Sequence, residues 1–330
     1  LQFHQAEAIG DLLEADATKS IEKSLYQLKG APLCVIQEMR SEMMGFLERL
    51  EASVDFPDEI EPLDRVKFNS MCLAQISTLA SFLDKKEVTR FIESGLHVVL
   101  LGDVNVGKSS LLNTLLDENR AIVSDVAGTT RDFISGRFEL NGFKVCLYDT
   151  AGYRETQDQI EALGIEKLKS LIAKADVVCL VLDSTKPPHI DPDLLEMIKP
   201  VRHRMCLLNK SDLNQLSLPK SLSGHFESSF SISAKTKEGL DAVFSYLKEN
   251  VLPIGQSQNQ DFSCNMRQLG VLEQVLAILK GIVNQEAHQL EDDMLALELK
   301  AAVMRLSEFS GESITEEVLD GVFSRFCIGK

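Results

Sequence analysis

Gly102-Asp103-Val104-Asn105-Val106-Gly107-Lys108-Ser109 has the form G-x-x-x-x-G-K-[ST]. Glycines at that spacing let a backbone curl so that successive N–H groups face a phosphate, and the lysine adds positive charge. Before it, Leu96–Leu101 is a short apolar run with β-branched residues; after it, Ser110–Leu116 has helical spacing. Strand, glycine loop and helix in that order are what the motif requires, because the new helix presents its positive end to the anion. Lys108 is placed to reach the β- and γ-phosphates of a nucleotide and Ser109 to ligate Mg2+. Asn105, Val106, Gly107 and Ser110 complete the phosphate-facing set.

Four further segments belong with this loop. Asp149-Thr150-Ala151-Gly152 follows a strand pattern ending at Tyr148. An Asp at a strand end can hold Mg2+ through water, and a Gly N–H can sense a γ-phosphate. Asn209-Lys210-Ser211-Asp212 follows the apolar run Met205–Leu208 and resembles the N-K-x-D signature of GTPases. Asp212 can accept from the N1–H and 2-amino group of guanine, a pair that adenine lacks. A buried carboxylate left unpaired is costly, so this one residue can set base choice. Ser233-Ala234-Lys235, after the next strand, resembles the S-A-K element of GTPases, which implies contact with the guanine carbonyl. Between the glycine loop and Asp149 lies Ser124-Asp125-Val126-Ala127-Gly128-Thr129-Thr130-Arg131-Asp132, which reads as a switch loop, with Thr130 completing the Mg2+ shell when the γ-phosphate is present. The ligands implied are GTP or GDP and Mg2+, and the reaction is GTP hydrolysis.

The elements that position these loops alternate. Phe133–Leu140 and Phe143–Tyr148 flank Asn141-Gly142, a strong hairpin signal. Val177–Leu182, Met205–Leu208 and about Phe230–Ile232 read as buried strands with helical patterns between most of them. This predicts a mostly parallel sheet with helices on both faces and one antiparallel hairpin strand. Residues 1–93 read as helical, broken at Gly30-Ala31-Pro32 and at Asp55-Phe56-Pro57-Asp58, with one long helix from Pro62 to about Glu93. After the polar linker Gly255–Asp261, helices are expected at roughly 265–287 and 291–309, and a last one opens at the capping box Ser313-x-x-Glu316. A final segment of ~70 residues is marginal as a core of its own. Residues 1–93 and 255–330 are therefore expected to form one discontinuous all-α domain, with the α/β domain of residues 94–254 inserted between them.

Composition narrows the class. The chain has 330 residues, a net charge of −16 and a hydrophobic share of 44%, which suits two globular domains and argues against a broad basic face for nucleic acid. No apolar run reaches the ~18 residues of a membrane span. The seven cysteines are scattered without C-x-x-C spacing, the pattern of thiols in a reducing, cytoplasmic setting. The first residues, Leu1 to Ala8, read as a helix already under way, so an N-terminal piece is expected to precede them.

The set resembles the MnmE (TrmE) family of tRNA-modifying GTPases over essentially all 330 residues. The features that carry the resemblance are Asn105 within the G-x-x-N-x-G-K-S-S loop, Gly128-Thr129-Thr130-Arg131-Asp132, Asp149–Gly152 followed by Arg154 and Glu161, and the terminal Cys327-Ile328-Gly329-Lys330. Tyr153 stands where Ras-type enzymes carry a water-orienting Gln. The resemblance assigns that task to Glu161, with Lys108 and Arg154 beside it in the catalytic set. It implies K+ in place of an arginine finger, held by Asn105 with Ser124, Val126 and Thr129 as two G domains pair into a homodimer. It also implies a heterocomplex with MnmG (GidA) that modifies the wobble uridine of tRNA at carbon 5. That reaction uses 5-formyl- or methylene-tetrahydrofolate in the full-length protein, and FAD and NADH on the partner. Cys327 and Lys330 would lie near the modification centre. The resemblance implies that the piece expected before Leu1 is the family's N-terminal folate-binding domain, and no membrane contact is implied.

Two other readings share the G motifs. A ribosome-assembly switch of the Era or EngA type needs a basic RNA-binding domain or a second G domain. An ion-transport GTPase of the FeoB type needs membrane spans.

Overall fold

The computed structural model describes residues 3–55, 58–59, 61–118, 135–150, 161–188, 190–214, 216–253, 264–286 and 291–311; at 31, 118, 161–165, 285 and 286 it describes the backbone alone. Two compact units emerge. One combines Leu1–Glu93 with Gly255–Lys330, and the other is Ser94–Ile254.

The helical unit begins with α1 (Phe3–Glu14), α2 (Thr18–Leu28), α3 (Ala31–Asp55), α4 (Arg65–Leu83) and α5 (Lys86–Glu93). Along α3, Leu33, Ile36, Met39, Met43, Leu47 and Leu50 recur every three or four residues and are all buried. Phe68, Met71, Cys72, Leu79 and Phe82 do the same along α4. These stripes share one core with Leu269, Leu272, Val275, Leu279 and Ile282, and with Leu295, Leu299, Val303, Leu306 and Phe309, from the far end of the chain. Each fully buried side chain of this size contributes about 1.5–3 kcal/mol through lost water contact.

The helix expected from Pro62 to Glu93 is two helices. Asp64 is the N-cap, its carboxylate accepting from Lys67 N–H at 3.1 Å; a capping oxygen outweighs a Pro two residues upstream. The rod then breaks at Asp84-Lys85. Val88 lies about 240° around a continuous helix from Phe82, so one straight rod could not bury both residues, and both are buried. A break at Ala15–Ala17 also interrupts the first helical stretch, and the Ser20 hydroxyl closes it by pairing with both backbone groups of Ala17.

The α/β unit runs β1 (Leu96–Leu101), α6 (Lys108–Glu118), β2 (Gly136–Leu140), β3 (Phe143–Asp149), α7 (Glu161–Lys174), β4 (Val177–Asp183), α8 (Pro192–Ile198), β5 (His203–Asn209), α9 (Lys220–Ser223), β6 (Ser228–Ser231) and α10 (Leu240–Tyr246). A π-helical turn, Leu247–Val251, extends α10. The sheet order is β2-β3-β1-β4-β5-β6, parallel except for β2 against β3. Asn141 and Gly142 both have positive φ, 54° and 82°, as a two-residue hairpin turn requires. One face carries Val99, Leu101, Tyr148, Val178, Leu180 and Leu208 against Ile172 of α7 and Leu194 and Ile198 of α8. On the other face Phe138 of β2 meets Phe244 of α10 edge to face. The sixth strand starts two residues earlier than expected. Ile232 lies past its end yet still donates its N–H to Leu208 O at 2.9 Å, and the chain turns at Ser233.

The chain returns as α11 (Met266–Glu286) and α12 (Asp292–Ser310). The expected helix after Ser313 lies outside the described residues. Arg267 on α11 grips both carboxylate oxygens of Glu7 on α1, at 2.6 and 2.8 Å, and donates to Glu308 O. Glu93, the last residue of α5, accepts from Met266 N–H and pairs with Lys23.

Among the described residues all six cysteines are free thiols. Cys34 is exposed, and Cys72, Cys146, Cys179, Cys206 and Cys264 are buried. Burial pushes Cys179, Cys206 and Cys264 up to about 12, so they hold almost no thiolate at neutral pH. Timed alkylation followed by peptide mapping is expected to mark Cys34 in the folded protein and these three only on unfolding. Native-state labelling of Cys179 as fast as that of Cys34 would contradict this packing.

Candidate nucleotide site

All the described motif loops leave the carboxyl ends of parallel strands. The glycine loop follows β1, Asp149-Thr150 closes β3, Asn209–Asp212 follows β5, and Ser233–Lys235 follows β6. The chain runs from β1 toward β3 on one side and from β4 toward β5 on the other. A crevice forms where such connections diverge, here between β1 and β4.

The glycine loop is shaped by contact as much as by conformation. Gly102 has φ 141° and Gly107 φ 98°. A Cβ at Gly102 would overlap the Val181 carbonyl of β4, and one at Gly107 would overlap the Asn209 amide. Both positions therefore exclude any side chain. Lys108 opens α6, is 5% exposed, and folds back so that Nζ donates to Gly102 O at 3.0 Å and Asp103 O at 2.7 Å. The first N–H groups of α6 have no intrahelical acceptor, and the helix dipole adds to their pull on an anion.

Ser109 Oγ donates to Asp149 Oδ2 at 2.9 Å. A hydroxyl and a carboxylate in reach of each other beside a phosphate loop are hard oxygen donors of the kind Mg2+ takes. Thr150 has its hydroxyl turned inward onto Leu100 O at 2.8 Å. That leaves its backbone, rather than its side chain, for a ligand.

The Asn209–Asp212 segment is tied to the glycine loop by hydrogen bonds, those of Asn209 buried. Asn209 Nδ2 donates to Val106 O at 2.8 Å, and Asn209 Oδ1 accepts from Ala234 N–H at 2.9 Å. Lys210, at φ 67°, donates to Asn105 O at 2.9 Å and to Asp183 Oδ2 at 2.6 Å. Ser233 Oγ donates to Asp212 Oδ1 at 2.7 Å and accepts from Thr236 N–H. Asp212 thus has one oxygen anchored from behind by the Ser233–Lys235 loop. Thr114, inside α6, donates to Ala234 O at 2.8 Å.

Asp183 and Thr114 escaped the motif reading. Asp183 ends an apolar strand run like any strand-end residue, and Thr114 sits in an ordinary helical pattern. An aspartate closing a buried strand beside another motif strand was the available signal. Burial works against ionisation of Asp183, but hydrogen bonds from Lys210 and Thr185 outweigh it and hold its carboxyl at about 2. Its folded value lies below the ordinary 3.8, so its contribution to stability is complete above that pH and disappears as pH falls through about 2.

Ser124, Asp125, Val126, Ala127, Gly128, Thr129, Thr130, Ala151, Gly152, Arg154, Cys327 and Lys330 lie outside the described residues. Glu161 is the first residue of α7, where the backbone alone is described.

The family described as the MnmE helical domain matches residues 3–327. The chain belongs to the MnmE family. It is 35% identical over its whole length to the tRNA modification GTPase MnmE of Trichormus variabilis, spanning 72% of that protein, and 36% identical to that of Thermotoga sp. strain RQ2, spanning 74%. Among solved structures, the G domain of the Thermotoga maritima FeoB iron transporter aligns with 47% of the chain at 26% identity and a TM-score of 0.34. The MnmE relatives make this chain a GTP-hydrolysing enzyme, and they leave the ribosome-assembly reading without support. Among the described residues no helix is long and apolar enough to cross a membrane.

Replacing Asn209 by Ala strips partners from Val106 O and Ala234 N–H at once. The expected loss is about 1–3 kcal/mol for each orphaned group. It should appear as a lower urea midpoint of the nucleotide-free protein, and an unchanged midpoint would show that the two loops do not depend on this bridge.

Proposed function

We propose that this GTPase couples GTP hydrolysis to modification of the wobble uridine of tRNA in the cytoplasm, in complex with an MnmG-type partner. The observation that carries the nucleotide part is the convergence of the phosphate loop, Asp149 and the Asp212 loop, bridged by Asn209 and Lys210. The tRNA part rests on the names of the MnmE relatives. The net charge of −16 agrees with tRNA being held mainly through the complex.

In this reading the backbone from Asn105 to Ser110 binds the phosphates, Lys108 moves its ammonium from the loop carbonyls to the β- and γ-oxygens, and Asp212 reads guanine. Ser109 and Thr130 hold Mg2+, which draws off phosphate charge when bound. Glu161 orients the attacking water, and Arg154 steadies the second switch. Asn105 is exposed at the turn of the loop, at φ 63°, so its amide oxygen is open to a cation. With Ser124, Val126 and Thr129 it would hold K+ where a cation relieves transition-state charge. Tetrahydrofolate chemistry belongs to the full-length protein, with Cys327 and Lys330 near the modification centre.

GTP turnover in KCl is expected to exceed that in NaCl at equal ionic strength by about ten-fold or more, and Asn105→Ala should abolish the difference. Equal rates in the two salts would leave the GTPase standing and remove the potassium mechanism. Sedimentation with GDP and aluminium fluoride is expected to show a dimer in KCl and a monomer in NaCl. A monomer in both salts would remove G-domain pairing.

A further inference from the structure

Both carboxylate oxygens of Asp183 are committed. Oδ1 accepts from Thr185 N–H at 2.9 Å and from the Thr185 hydroxyl at 2.6 Å. Oδ2 accepts from Lys210 Nζ at 2.6 Å. The Asp183 side chain is 8% exposed and that of Lys210 31%, so the pair is half-buried and partly screened by water. The strand register places Asp183 opposite Asn209, one residue before Lys210. A lysine left alone has a long flexible stem and many rotamers to lose. Here its ammonium is caught between a fixed anion and the Asn105 carbonyl.

That second contact has a geometric consequence. In a trans peptide the C=O of one residue and the N–H of the next point in opposite directions. Drawing the Asn105 carbonyl toward Lys210 turns the Val106 N–H away from it. That N–H belongs to the run of donors assigned to phosphate.

We propose that Asp183 is a positioning residue for nucleotide binding, locking Lys210 as a strut that sets the base-reading loop and the Asn105–Val106 peptide of the phosphate loop in one fixed relation. Thr185 is the outer anchor of the same strut. The proposal rests on reading Asn209–Asp212 as the base-reading loop.

The test is stopped-flow release of N-methylanthraniloyl-GDP from the wild-type chain and from D183N, K210M and the D183N/K210M double variant. Asp183→Asn keeps shape and an acceptor for Thr185 but removes the charge facing Lys210. Release from D183N and from K210M is expected to be about ten-fold faster, and release from the double variant no faster than from K210M. In steady-state GTP hydrolysis the loss should fall on KM more than on kcat, because the strut acts on binding. A D183N rate within about two-fold of wild type, or singles whose effects multiply in the double variant, would overturn the proposal. If D183N does not fold, Thr185→Ala carries the test, with faster release expected and unchanged release refuting it. Asp212→Asn, measured alongside for GDP against inosine and xanthosine diphosphates, tests the underlying reading separately. Unaltered base preference there sinks the base-loop assignment whatever the Asp183 variants do.

Discussion

A backbone that must turn around a phosphate while pressed against its neighbours governs the α/β unit. The loop after β1 has no volume to spare, since Gly102 abuts the Val181 carbonyl and Gly107 abuts the Asn209 amide. Because the loop is jammed against β4 and the end of β5, those strands cannot shift without deforming it. In the order β3-β1-β4-β5, β1 lies between β3 and β4, so its terminal loop meets β4 and β5 on one side while Ser109 reaches Asp149 of β3 on the other. The apolar runs of β1 and β4, buried along nearly their whole length, supply the stiffness that holds the loop to this shape.

The second level of organisation is a polar layer beneath the ligand crevice. Asn209, Lys210, Ser233 and Thr114 point their hydrogen-bonding groups at the backs of neighbouring loops. Motif residues are usually read as ligand contacts. Here several first serve to hold other motif residues, and Asn209 uses its amide on the Val106 carbonyl and the Ala234 N–H. Buried networks of this kind specify geometry strongly when every member is paired.

Much of this was legible in the chain. The glycine spacing, the Asn141-Gly142 turn and the apolar strand runs each have a local cause, so the α/β class and the nucleotide loops followed from short-range chemistry. The identity of the family rested on longer strings, Gly128–Asp132 and Cys327–Lys330 among them. What escaped were effects that exist only in three dimensions. The break at Asp84 lets Phe82 and Val88, which would lie on different faces of one continuous helix, both be buried. The cap at Asp64 displaced a start expected at Pro62, a competition between two valid local signals. Asp183 acquires its partners only when β4 and β5 lie side by side.

The helical unit's core is shared between pieces of chain that are far apart in sequence. Leu79 and Met43 are buried with Leu272 and Leu299, and Glu93 holds Met266 across the point where the whole of Ser94–Ile254 intervenes. During synthesis α3 and α4 therefore emerge long before the partners that cover their apolar stripes. At roughly 5–20 residues per second the wait is about ten to forty-five seconds. The inserted unit, complete within its own stretch of chain, can collapse first on the ribosome. Until the last helices arrive, the apolar stripes of α3 and α4 lack the side chains that cover them in the folded unit.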